Sequence, residues 1–404
     1  MKRNKEEVFS AVKEDNIKSI RLAFCDVFGR EKNISITPEE LSEAFNSGVP
    51  INAAAVKDFG EGIFCDLYLH PEPKTYSILP WQPDNDRIAR MFCRMSFADG
   101  TPFESRGTKS LLKKAINDAE EMGYEFYFAS ELAYYLFKVD ENGKPTNEPY
   151  DDAGYLDIEP DDKCETIRRN INHALDLMDV KPTDSFHLSG PGQNMLEFGL
   201  ANPLVAGNNI ITAKSVIKLA ASKNNAYADF SPKPVPNCRG NGLHIQFAVV
   251  ANDGNSNAIK HAAAGVLEKA ADITAFLNPT PDSYKRLGCD GAPKYISWSN
   301  ENRSQLIRIP DTAAHLKCAE LRSPDANVNP YLAYALIIYA SLYGIKNNLE
   351  LPEKSNFSFS LMENDVLSQY KQIPSTYSEA CYIAKNSEFI KEHLPEDIIN
   401  LYIK

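Results

Sequence analysis

The sequence predicts an α+β protein made of a small first unit, residues 1–103, and a larger second unit, residues 104–404. Three observations carry this expectation. The 404 residues exceed the roughly 250 to 300 that one hydrophobic core usually serves. The first hundred residues mix one amphipathic helix with short β-rich runs, whereas from Glu104 onward helical and strand-like segments alternate to the end. Hydrophobic side chains make up 43% of the chain, enough to bury cores of that size, so general disorder is excluded.

The opening segment MKRNKEEVFSAVKEDNIKSI places apolar residues among charges at helical spacing and lacks the uninterrupted apolar run of a secretory signal. SIRLAFCDVFG and KNISI read as strands, punctuated by turn residues in FGRE, TPEE and HPEPK. The second unit opens on the helix SRGTKSLLKKAINDAEEMGY, and the strand YEFYFASELAYYLF follows. Helices are predicted in CETIRRNINHALDLM, NNIITAKSVIKLAASK, SNAIKHAAAGVLEKAADITAFL and NPYLAYALIIYASLYG, with strands GLHIQFAVV and QLIRIP between them. The most apolar stretch, Leu332 to Ile345, is shorter than the roughly 18 residues a bilayer needs and contains Ser341 and Gly344, so it reads as a buried core helix. The sequence contains no internal repeat and no glycine-rich phosphate loop.

Lys and Arg number 43 against 55 Asp and Glu, a formal charge of −12. That balance repels nucleic-acid backbones and anionic lipid, so neither nucleic acid nor a membrane is an expected partner. The eight cysteines form no CxxC pair, which fits reduced core thiols in a cytoplasmic protein.

Chemistry concentrates in three segments. In YFASELAYYLF, strand alternation puts Glu131, Ala133 and Tyr135 on one face, and a carboxylate among such neighbours needs a cation. In GNGLHIQF, Gly240 and Gly242 allow close backbone approach ahead of His244, and in KCAELRSPDANVNPYL, Glu320 and Arg322 alternate onto one face. Two acids and an imidazole form a plausible site for Mg²⁺ or Mn²⁺, since both take oxygen donors and Mn²⁺ tolerates an imidazole.

These segments resemble the glutamine synthetase family, class I of the prokaryotic type, over nearly the whole chain. The resemblance runs in order through LAFCDVFGREKNI, CDLYLHPEPKTYSILPW and FESRGTKSLLKKA in the first unit. In the second it continues through GYEFYFASELAYYLF, AGYLDIEPDDKCETIRRNI, GPGQNMLEFGLANPL, FSPKPVPNCRGNGLHIQF, LNPTPDSYKRLG, ENRSQLIRIP and ELRSPDANVNPYLAYAL. It implies a β-grasp domain followed by an α/β catalytic domain, and a reaction in which ATP phosphorylates a glutamate side chain before ammonia displaces the phosphate. By motif, Glu131, His244 and Glu320 match the metal site that holds the ATP phosphates. Arg303 and Arg308 match the phosphate-facing arginines, while Arg286 and Arg322, with Gly240, match the substrate-gripping positions. The resemblance also implies a ring-shaped homo-oligomer, although no counterpart of the family's C-terminal helical strap is found at residues 401–404, so stacking of two rings is not expected.

The departures bear on function as much as the matches. The family's second metal site uses three glutamates, and the positions assigned to them here read Ala133, His187 and Met195, of which only the imidazole of His187 is a donor for a hard ion. Glu197, two residues beyond Met195, is the candidate substitute. Asn52 stands where the family carries the aspartate that attracts ammonium, and Gly291 stands where its flap carries a glutamate, with Asp290 alongside. Gln246, Ala248 and Cys318 replace family residues on the nucleotide side, with Lys317 beside the last. Two readings follow from the resemblance and its gaps. One is an ATP-dependent ligase with fewer ions than its relatives, which phosphorylates glutamate or a related acid and condenses it with ammonia or, in preference, another amine. The other is a non-catalytic member that binds nucleotide in a regulatory or structural role.

Overall fold

A computed structural model of the chain describes residues 3–59, 62–289, 291–311 and 316–403. The opening helix α1 (Lys5–Glu14) is closed at its N-terminus by Asn4, whose side chain accepts from the Glu7 amide while Glu7 reaches back to the Asn4 amide. A first sheet follows, formed by β1 (Ser19–Cys25), β2 (Glu31–Ile36), β3 (Val49–Asn52), β4 (Asp66–Pro71), β5 (Ser77–Ile78) and β6 (Ile88–Ser96). Its order is β2-β1-β6-β4-β3, with β5 added on β6 and only β1 and β6 parallel. The short helix α2 (Leu41–Asn46) lies in the β2–β3 connection.

The second sheet has nine strands: β7 (Tyr124–Val139), β8 (Pro145–Pro149), β9 (Pro182–His187), β10 (Gln193–Ala201), β11 (Ala226–Asp229), β12 (Leu243–Ala251), β13 (Trp298–Ser299), β14 (Ile307–Arg308) and β15 (Cys318–Leu321). The main order is β13-β14-β15-β12-β7-β10-β9. Between the strands run α3 (Thr108–Glu121), α4 (Glu165–Leu177), α5 (Pro203–Lys223), α6 (Ala258–Glu268), α7 (Ala270–Leu277) and α8 (Ser283–Arg286), and α9 (Pro330–Lys346) follows β15. The run predicted as one helix over residues 256–277 is two, α6 and α7, divided at Lys269.

Alternation along β7 decides where chemistry can sit. Phe128, Ser130, Leu132 and Tyr134 point to the helical side, where Phe128 stacks on Tyr334 of α9 at 4.4 Å and Ser130 Oγ lies 2.8 Å from the Tyr334 hydroxyl. Their neighbours Ala129, Glu131 and Ala133 therefore face the opposite side. Helix α9 is buried on all sides, as its sequence predicts. It starts at Asn329, whose side chain accepts from the Tyr331 amide, with Pro330 in the first turn. Its approach to α6 needs two glycines: a Cβ on Gly265 would lie 2.1 Å from the Ala340 carbonyl oxygen, and one on Gly344 the same distance from that of His261. Among the described residues no helix is long and apolar enough to cross a membrane.

Candidate functional site

Register on the open face of the second sheet arranges side chains in rows. His244 on β12, Glu131 on β7, Glu197 on β10 and Asp184 on β9 are consecutive cross-strand partners. One step along, Arg308 on β14, Glu320 on β15, Gln246 on β12 and Ala129 on β7 form the adjacent row. A third row pairs Cys318 with Ala248 and Tyr127, and on the other flank Ala133 pairs with Met195 and Met195 with Phe186. Since side chains two residues apart share a face, four strands bring together groups more than a hundred residues apart in sequence.

Glu131, His244 and Glu320 converge as the sequence predicts. Their ligand atoms all lie within 4.8 Å of one another, and all three residues are buried. His244 Nδ1 is 3.0 Å from Glu131 Oε2 and 3.6 Å from Glu320 Oε1, while Nε2 is 3.3 Å from the Gly291 carbonyl oxygen. In the neutral tautomer that donates Nε2–H to Gly291, a bare Nδ1 faces two carboxylates, and a divalent cation relieves that arrangement. The donor set therefore fits Mg²⁺ or Mn²⁺. Burial pushes the Glu131 carboxyl up, but in the metal-free site an imidazolium at His244 donating Nδ1–H, the charge of Arg322 and the Gln246 amide at 3.0 Å outweigh it and hold the acid well below the ordinary range. Gln246, read from the sequence only as a departure on the nucleotide side, is thus a direct partner of Glu131.

The arginines divide. Arg322 donates to Glu320 Oε1, and Arg308 Nη1 lies 3.4 Å from Glu320 Oε2, so both belong to the site. Arg303 is exposed and near enough to Glu197 to oppose the rise of its pKa. Arg286 is different: it is 1% exposed, and its guanidinium donates to the carbonyl oxygens of Ser323 at 2.8 Å, Pro324 at 2.9 Å and Arg322 at 3.4 Å. It presents no accessible surface to a substrate. Gly240 serves the same packing, since a Cβ there would meet the Pro232 oxygen at 2.3 Å and Arg286 Cγ at 2.7 Å.

His187 does not join the metal row. Strand parity turns it to the opposite face, fully buried, with Nε2 2.9 Å from Asp151 Oδ1 and Nδ1 2.6 Å from the Leu188 carbonyl oxygen. Burial lowers its pKa, but the Asp151 and Leu188 hydrogen bonds overcome this and raise it, the pattern of a buried imidazolium–carboxylate pair. The residue that does join Ala133 and Met195 is Leu188, and the three form a small apolar cluster with Phe186 packed against it. The turn supplies the missed signal: Leu188 hydrogen-bonds Gln193, which shares a face with Met195. Glu197 lies beside Glu131. Burial, then Glu131 and Asp184, push its carboxyl up to about 7.

Asn52 is exposed at the end of β3 in the first sheet, away from these rows. Gly291 adopts φ +77°, with open space where a Cβ would project, and Asp290 lies outside the described residues. Ala248 is buried, Cys318 is half-buried, and Lys317 is exposed.

Comparison with known proteins places this arrangement. Residues 16–96 match the family description "Glutamine synthetase, beta-Grasp domain" and residues 105–404 match "Glutamine synthetase, catalytic domain". Glutamine synthetase of Methanosarcina mazei is 37% identical over 414 residues, covering 99% of this chain and 92% of the relative. That of Clostridium saccharobutylicum is 34% identical over 417 residues, with 100% and 94% covered. Among solved structures, a GmaS/ADP complex superposes with a TM-score of 0.87 at 22% identity, covering 100% of this chain and 94% of the other. The cryo-EM structure of Plasmodium falciparum glutamine synthetase superposes with a TM-score of 0.84 at 19% identity, covering 99% and 94%. These two likenesses establish a shared fold.

Proposed function

This chain belongs to the glutamine synthetase family, whose members are ligases that form carbon–nitrogen bonds, and from that premise we propose an ATP-dependent carboxylate–amine ligase that acts on glutamate or a related acid and accepts an amine other than ammonia. The observation that carries the reading is the convergence of Glu131, His244 and Glu320 beside Arg308 and Arg322, on the face of a sheet whose second metal-binding position is apolar. In this reading Glu131, His244 and Glu320 hold the cation, which when bound neutralises phosphate charge and polarises the transferred phosphoryl group.

The chain's own residues do the rest. His244, fixed through Nε2 on Gly291, keeps Nδ1 turned to the two acids. Gln246 orients the Glu131 carboxylate through its amide. Arg308 and Arg303 supply positive charge where negative charge builds on the phosphoryl oxygens, the main requirement of phosphoryl transfer. With Asn52 and Gly291 at the positions where the family carries acids, the side chains that the resemblance assigns to ammonium are absent, which favours a different nucleophile. A ring-shaped homo-oligomer belongs to the same reading.

The test is a phosphate-release assay with ATP, Mg²⁺ or Mn²⁺ and glutamate, comparing ammonium with primary amines. Phosphate release that depends on an amine, with little glutamine from ammonium, is expected. Robust glutamine synthesis at ordinary ammonium concentrations contradicts the choice of nucleophile, and no release with any acceptor favours the non-catalytic reading.

A further inference from the structure

We propose that the amine condensed at this site carries an apolar tail, held by the Ala133–Leu188–Met195 cluster and Phe186, with its ammonium head against Glu197 and Asp184. The inference rests on the ligase reading above and specifies its substrate class. Ala133, Leu188 and Met195 form an apolar cluster separate from the main core. It lies on the same sheet face as the metal row, two residues along β7 and β10 from Glu131 and Glu197. Phe186 extends it outward: half-buried itself, it meets Tyr155 edge-on at 5.9 Å, and Tyr155 is 57% exposed. An apolar wall thus runs from beside the metal row to the surface.

Acid and apolar rows lie side by side, because Met195 pairs with Phe186 next to the pairing of Glu197 with Asp184. A cationic head beside two acids and a hydrocarbon tail against Met195, Leu188 and Phe186 matches both rows. Ammonium would use only the first.

The chemistry balances without a further reactant. The γ-phosphoryl group of ATP passes to a carboxylate oxygen, breaking the bond to ADP. The amine nitrogen then attacks the acyl carbon, and the carbon–oxygen bond to phosphate breaks. The alkylammonium gives up two protons, one ending on phosphate and one going to solvent.

The test measures kcat/KM for ADP formation by the full-length protein with ATP, Mg²⁺ and glutamate against ammonium, methylamine, n-butylamine and phenethylamine, with the amide product identified by mass. The expected result is at least a roughly tenfold rise from methylamine to butylamine, the scale on which an apolar pocket discriminates methylenes. Phe186→Ser and Tyr155→Ser, both at partly or largely exposed positions, should each lower the ratio of the butylamine to the methylamine value several-fold. A preference for ammonium or methylamine overturns the inference and leaves the ligase reading standing, as does an equal loss for all amines in both variants. ADP formation with no amine at all overturns both.

Discussion

Glu320 is the most heavily engaged acid of the site: at 2% exposure it receives Arg322 and Arg308 and lies 3.6 Å from His244 Nδ1. Glu197, by contrast, is half-buried and faces Glu131 and Asp184, and burial first and these two charges second push its carboxyl up to about 7. An acid whose pKa is raised on folding stabilises the folded state fully below its ordinary value and loses that contribution as pH climbs toward the raised value. In metal-free protein, denaturant unfolding should therefore show stability falling by about 1 to 2 kcal/mol between pH 4.5 and 7, allowing for screening at a half-buried site. Glu197→Gln should remove most of that slope, and an unchanged slope in the variant would contradict this account. At this scale the sequence was legible where alternation along one strand sets the face a side chain takes, as for Glu131 and Glu320. It was not legible where burial decides, as for Arg286, whose guanidinium is consumed by three backbone carbonyls in a segment 37 residues away.

Strand β7 organises the molecule, because one strand carries both the apolar row that meets α9 and the acid that meets His244. Alternation makes these two roles inseparable, and it also explains why His187 and Leu188 exchanged places relative to expectation. A one-residue slip in counting along a strand reverses the face, and the GPGQN turn between β9 and β10 hides the parity until the pairing of His187 with Asn194 is known. The predicted helices mostly formed, but the break at Lys269 has no proline or glycine to signal it. The α6–α9 crossing was equally invisible, since Gly265 and Gly344 look like ordinary helix-weakening residues until the helices are seen to touch through them. Gly265→Ala should therefore cost at least about 2 kcal/mol, because the new methyl has only backbone to displace, lowering Tm by several degrees. An unchanged Tm in thermal unfolding would contradict that packing.

At the scale of the whole molecule the two sheets share one continuous core and are tied by polar bonds. The Asn329 amide donates to the Val27 carbonyl oxygen at 2.9 Å and to Thr108 Oγ1 at 2.9 Å, the Tyr402 hydroxyl also donates to Val27 at 3.0 Å, and Arg90 reaches Thr212 at 2.8 Å. The order of helices and strands could be read from hydrophobic spacing alone, whereas links between residues 122 to 375 positions apart carry no local pattern. The same holds for the site, where three segments each announced a donor but only the sheet register shows that the donors meet. This meeting point is expected to hold a cation that engages ATP. Isothermal titration of ATP with Mg²⁺ into wild-type protein and Glu131→Gln tests it directly. Metal-dependent binding in the wild type, weakened at least roughly tenfold in the variant while circular dichroism stays unchanged, is the predicted result, and equal affinity in both proteins, or no binding in the wild type, would contradict it.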